Sequence, residues 1–218
     1  MIFAPSPNFD ARPGPVDVLV LHYTGMQSAG AALARLCDPA AKVSSHYLVD
    51  EDGTSYRLVE EESRAWHAGV SSWRGVAGLN DDSIGIEIVN PGHEFGYRAF
   101  PEAQMAAVLE LCRGVIGRHK IPARNVVAHS DIAPARKQDP GELFPWRWLA
   151  ANGVGLWTDE FSTGDLMNDL TAIGYDVAAS GVVTAFNRHF LPENLNGEAD
   201  ERTTGRAAAV RALVDRSF

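Results

Sequence analysis

Three short apolar runs, each ending on a residue able to do chemistry, constrain this chain more than any other feature. Val16-Asp17-Val18-Leu19-Val20-Leu21 leads into His22-Tyr23, Ser83-Ile84-Gly85-Ile86 into Glu87-Ile88-Val89-Asn90, and Asn125-Val126-Val127-Ala128 into His129. Runs this short and this rich in β-branched residues read as buried strands. Between them lies helical character. Ala29 to Leu36 is rich in alanine and leucine, and Pro101 to Arg118 is long and amphipathic. Pro101-Glu102 is a start signal for that second helix, and His119-Lys120 suits the negative end of its dipole. A short helix is expected around Trp146 to Ala150. Segments 45–50 and 51–58 form the strongest hairpin signal, because Asp52-Gly53 supplies a tight turn. The alternation predicts an α/β fold with a mixed β-sheet flanked by helices, since a hairpin is incompatible with a purely parallel sheet.

Composition changes near Ala151-Asn152-Gly153-Val154-Gly155. The remainder reads as three helices, roughly 162–173, 181–190 and 199–215, separated by Gly174-Tyr175-Asp176 and Asn194-Leu195-Asn196-Gly197. The expected organisation is a domain over 1–155 and a small C-terminal three-helix module over 156–218, which is short enough that it should dock on the first. A formal charge of −9 argues against a nucleic-acid partner. No stretch is long and apolar enough to insert in a membrane. Met1-Ile2-Phe3-Ala4-Pro5 lacks the basic and apolar regions of a secretory signal, which sets the expectation of a cytoplasmic protein. Cys37 and Cys112 lie in helix-like apolar stretches and read as thiols rather than a disulfide.

The chemistry concentrates at His22, His129 and Asp139, the last in the loop Ala133-Pro134-Ala135-Arg136-Lys137-Gln138-Asp139-Pro140-Gly141. Two imidazoles and a carboxylate are a three-ligand set for a catalytic zinc, with the fourth position left to water. Taken singly, a histidine at a strand end is more often a satisfied rim residue. Alternation puts Glu87 on the face opposite Ile86 and Ile88. It is either half of a buried ion pair with an arginine or a general base of raised pKa. Lys137, two residues before Asp139, shares its direction if the loop is extended. It is either a solvated cation or an oxyanion stabiliser. Plainer readings suit the other polar residues. His46 packs near the site, His93 is exposed, His119 caps a helix, His189 belongs to the module, and Glu60-Glu61-Glu62 is a solvated acidic face.

Five ordered segments carry a resemblance. They are Leu21-His22-Tyr23-Thr24, Val43-Ser44-Ser45-His46-Tyr47, Ala65-Trp66-His67-Ala68-Gly69, Asn80-Asp81-Asp82-Ser83-Ile84-Gly85-Ile86-Glu87, and Ala128 through Gly141. The chain resembles zinc-dependent N-acetylmuramoyl-L-alanine amidases of the AmpD/AmiD type. Its tail is similar to the helical peptidoglycan-binding-type module of AmiD-like members. The resemblance implies zinc ligands at His22, His129 and Asp139, a general base at Glu87 and an oxyanion-stabilising Lys137. It also implies a substrate groove near His67 and Asn80. Gly78 stands where many members have an arginine, so either Arg74 supplies the cation for a substrate carboxylate or that contact is absent. The implied activity is release of the peptide stem from (1,6-anhydro-)N-acetylmuramic acid in peptidoglycan recycling, with a muropeptide as partner. The alternatives are an exported wall-remodelling amidase and a non-catalytic muropeptide sensor.

Overall fold

The computed structural model describes residues 1–216. Its strands are β1 (Ile2–Phe3), β2 (Phe9–Ala11), β3 (Val18–Tyr23), β4 (Tyr47–Val49), β5 (Ser55–Arg57), β6 (Ser63–Ala65), β7 (Ser72–Trp73), β8 (Val76–Ala77), β9 (Ser83–Ile88) and β10 (Val126–Ala128). Its helices are α1 (Ala29–Leu36), α2 (Gly92–Phe95), α3 (Glu102–His119), α4 (His129–Ile132), α5 (Trp146–Ala151), α6 (Leu166–Ile173), α7 (Val182–Phe190) and α8 (Glu201–Arg216). Six strands make the main sheet in the order β1-β5-β4-β9-β3-β10. Only the β4–β5 hairpin is antiparallel, so the sheet is mixed as expected. The hairpin closes where Gly53 takes φ 87° and donates to the Asp50 carbonyl. Two-stranded ribbons, β2–β6 and β7–β8, sit beside the sheet.

Period-2 alternation sorts the central strands onto two faces. Leu19 and Leu21 of β3 and Ile84, Ile86 and Ile88 of β9 share one core with α3, which contributes Val108, Cys112 and Val115. The alternate residues Val18 and Val20, with Val127 of β10, share a second core with Leu170, Ile173, Phe186 and Val210 of the C-terminal helices. Those helices therefore cover one face of the sheet. Local signals set their ends: Ser28 caps α1 by accepting from the Ala31 amide, and Asp165 caps α6 through Asn168. No helix among the described residues is long and apolar enough to cross a membrane. Cys37 and Cys112 are free thiols.

Three plain readings need correction. Glu61 is buried rather than solvated: it accepts from the Tyr47 hydroxyl and pairs with Arg118 and His119. Burial pushes its carboxyl up, but those donors outweigh it and hold it at about 2. His119 accordingly pairs with Glu61 instead of capping α3, whose C-cap is Lys120. His93 is not free in solvent. It bonds the Tyr23 hydroxyl and Glu142 and stacks on Tyr97 at 4.3 Å.

Candidate metal-dependent active site

The site lies at the carboxyl ends of β3, β9 and β10, where parallel α/β sheets open to ligands. Register explains it. His22 pairs directly with Glu87 across β3–β9, and Leu21 with Ala128 across β3–β10, so His129 emerges one residue beyond the strand. His22 continues the series Val18, Val20 and therefore faces away from α3. The loop carrying Asp139 is tied back by the Ser130 amide, which donates to the Asp139 carbonyl.

His22 Nδ1, His129 Nδ1 and Asp139 Oδ2 converge. The nitrogens are 2.9 Å apart, and the carboxylate oxygen is 3.1 Å from the first and 3.0 Å from the second. All three residues are buried, and the three donor atoms lie within 4.8 Å of one another. Four tetrahedral bonds of roughly 2 Å separate neighbouring donors by roughly 3.3 Å, so this donor set suits a small divalent cation with one position left over. Burial and the nearby His129 charge hold the His22 imidazole at about 4, which keeps it neutral and able to ligate. Burial opposes ionisation of Asp139, but the two histidines prevail and keep its carboxyl far below the usual range.

Glu87 lines the same cleft, a space of about 380 Å³. Its Oε2 is buried with no hydrogen-bond partner, and no arginine pairs with it among the described residues. The ion-pair alternative therefore fails. Burial raises its carboxyl well above the ordinary value, Asp139 adds to the rise, and Lys137 counters it. Lys137 also lines the cleft. The loop is not extended before it, because the Lys137 amide donates to the Ala133 carbonyl in a turn, yet Lys137 and Asp139 reach the same cavity.

The expected substrate residues divide. His67 lines the cleft, with Nδ1 3.0 Å from His22 Nε2. Burial and the neighbouring His22 hold its imidazole well below its usual pKa. Asn80 does not reach the cleft. Its buried side chain accepts from the His67 and Ala68 amides at 3.0 and 2.7 Å. Arg74 is not brought to the cleft either. The turn between β7 and β8 puts it at φ 52°, its amide donates to the Gly174 carbonyl, and its side chain lies 3.9 Å from Asp17. Among the cleft residues to which the sequence reading gave no role are Arg35, Trp66 and Arg136. Arg136 braces the wall by donating to the Ala68 and Val70 carbonyls. An arginine on an amphipathic helix or in a loop carries no local signal of such a place.

An α/β sheet that brings two imidazoles, a carboxylate and an unpaired glutamate into one cleft has the layout of a hydrolase with three side chains positioned for a metal ion. The particular family follows from comparison. The N-acetylmuramoyl-L-alanine amidase family model matches residues 12–142. AmiD of Escherichia coli is 41% identical over 89% of this chain and 82% of its own length. AmpD of Haemophilus influenzae is 35% identical over 67% of this chain and 89% of its own. The AmiD structure, a complex with anhydro-N-acetylmuramic acid-L-Ala-D-γ-Glu-L-Lys, covers 94% of this chain and 92% of its own at 39% identity, with a TM-score of 0.82. AmpDh3 of Pseudomonas aeruginosa, solved with an anhydromuramic pentapeptide, covers 93% and 94% at 32% identity, with a TM-score of 0.83. The chain belongs to the N-acetylmuramoyl-L-alanine amidase family. Structural coverage this broad extends the likeness into the C-terminal helices.

Proposed function

We propose that this amidase is zinc-dependent and cleaves the bond between the lactyl carbonyl of (1,6-anhydro-)N-acetylmuramic acid and the L-alanine nitrogen of soluble muropeptides. The observation that carries the reading is the convergence of His22 Nδ1, His129 Nδ1 and Asp139 Oδ2 beside an unpaired Glu87. His22, His129 and Asp139 would hold the zinc ion, which would supply a Lewis acid and lower the pKa of the attacking water to roughly 7. Glu87 accepts a proton from the attacking water and delivers it to the leaving nitrogen. The Lys137 ammonium stabilises the negative oxygen of the tetrahedral intermediate. Burial of His22 and His129 excludes bulk water from the donor set and keeps their geometry fixed.

The anhydro-muropeptides held by AmiD and AmpDh3 support the substrate class. The test is product analysis on anhydro-N-acetylmuramic acid-L-Ala-D-γ-Glu-L-Lys. The expected products are the anhydro sugar and a tripeptide with a new amino-terminal alanine. Cleavage within the peptide, or tight binding without turnover as in a sensor, contradicts the proposal. Lys137→Ala should lower kcat about 100- to 1000-fold with little change in KM. The cytoplasm is the proposed place of action. Fractionation of cells expressing the natural gene, with rates compared on soluble fragments and polymeric sacculi, separates this from wall remodelling.

A further inference from the structure

Both histidines of the donor set present Nδ1. A neutral imidazole carries one ring proton, so Nδ1 is free to ligate only when that proton sits on Nε2. Something in the fold has to make that choice twice.

For His129 the choice is direct. Its Nε2 lies 3.1 Å from the Ala68 carbonyl oxygen, which can only accept. For His22 the choice passes through three further groups. His22 Nε2 lies 3.0 Å from His67 Nδ1, a nitrogen that could in principle donate or accept. His67 Nε2 lies 3.2 Å from Ser83 Oγ. The Ser83 hydroxyl proton is committed to the Leu79 carbonyl. Ser83 Oγ is therefore left as an acceptor, so His67 carries its proton on Nε2. His67 Nδ1 is then bare and accepts from His22 Nε2–H, which leaves His22 Nδ1 with its lone pair facing the donor set.

We propose that Ser83, His67 and the Ala68 carbonyl form a hydrogen-bonded clamp that fixes the tautomers of both histidine ligands, with Asn80 as the residue that positions it. Asn80 Oδ1 accepts from the backbone amides of both His67 and Ala68, so one buried side chain sets the ring that reads His22 and the carbonyl that reads His129. Gly85 makes room for the ring: a Cβ there would lie 2.5 Å from His67 Cγ. Ser83 and Asn80 do not line the cleft, so they act through the ligands and are positioning residues. Groups that orient ligating histidines commonly change metal affinity 10- to 100-fold.

The inference rests on the metal reading above, and its test separates the two. Long-range proton–nitrogen spectra of the full chain, with and without zinc, report which nitrogen of each imidazole is protonated. The expected result is a proton on Nε2 of His67 in both forms. Zinc affinity measured by competition with a chelator should fall about 10- to 100-fold in Ser83→Ala, with the loss of a defined His67 tautomer. A proton on His67 Nδ1 in the unsubstituted protein overturns the clamp, and that observation needs no variant to fold. A folded Ser83→Ala protein with unchanged zinc affinity and an unchanged His67 spectrum overturns it as well. Failure of the unsubstituted protein to bind zinc instead removes the metal reading, while the His67 tautomer is still read in the metal-free protein.

Discussion

Glu87 occupies a position at which an ionised carboxylate destabilises the fold. Its Oε2 is buried without a partner, and burial raises its pKa well above the ordinary carboxylate value. A raised pKa means that, above the unfolded value of 4.5, the folded metal-free protein binds a proton that the unfolded chain has released. Stability is lost as pH rises through that window. Glu87→Gln keeps the shape and removes the ionisation. It should raise the thermal midpoint of the metal-free protein at neutral pH while abolishing most turnover, because an amide cannot accept the water proton. Calorimetry paired with a rate assay checks both halves. A lowered midpoint together with retained turnover contradicts the assignment of Glu87 as base. Its alternation with Ile86 and Ile88 marked it in the sequence, but the choice between an arginine partner and a catalytic role needed the three-dimensional surroundings.

At the scale of elements, β3, β9 and β10 were legible as short β-branched apolar runs, since a strand buried between two cores is apolar on both faces, and α3 was legible from its amphipathic period. His22, Glu87 and His129 were legible for the same reason, since each interrupts or ends an apolar run. The ribbons β2–β6 and β7–β8 were not, because two or three residues show no period. That hid the true place of Arg74, whose position beside Gly174 depends on the turn between β7 and β8. It hid Asn80 too: its hydrogen bonds to residues 67 and 68 span a loop whose path no local pattern encodes. Gly85 of β9 gives a prediction at this scale. Gly85→Ala keeps a strand conformation but drives a methyl into His67. It should cost about 1–3 kcal/mol in denaturant unfolding, typical of overpacking a filled core. No loss of stability would mean that the His67 ring has room to move.

Across the whole molecule, the helices after residue 155 belong to the core that buries Val18, Val20 and Val127. They also reach the site's support. Asp131 lies two residues after His129, accepts from the Tyr175 hydroxyl and pairs with His189, each at 2.7 Å. Tyr175→Phe removes one buried donor to that carboxylate and should destabilise by about 1–3 kcal/mol, read from urea unfolding. A chain cut at residue 155 exposes the apolar sheet face and should unfold at a markedly lower temperature; an unchanged midpoint would make the module a separate domain. Acid should unfold the protein as well. Burial and the Arg12 charge hold His46 at about 3, against 6.5 in an open chain. Below 6.5 the unfolded state takes up a proton that the folded state refuses, so stability falls as pH drops toward 3. Glu61, held at about 2 against 4.5, acts in the same direction: its stabilisation is present above 4.5 and lost as pH falls toward 2. Urea titrations across this range should show the midpoint declining with acid.

In the proposed mechanism His22, His129 and Asp139 bind one catalytic zinc, and Glu87 works beside the metal without holding it. Metal content by mass spectrometry, measured on the same preparations as anhydro-muropeptide turnover, separates the ligands from the base. The expected result is one zinc per chain with activity in the unsubstituted protein, one zinc without activity in Glu87→Gln, and neither zinc nor activity in His129→Ala. An active His129→Ala protein free of metal would rule out the catalytic zinc, and a Glu87→Gln protein that loses its zinc would make Glu87 a ligand.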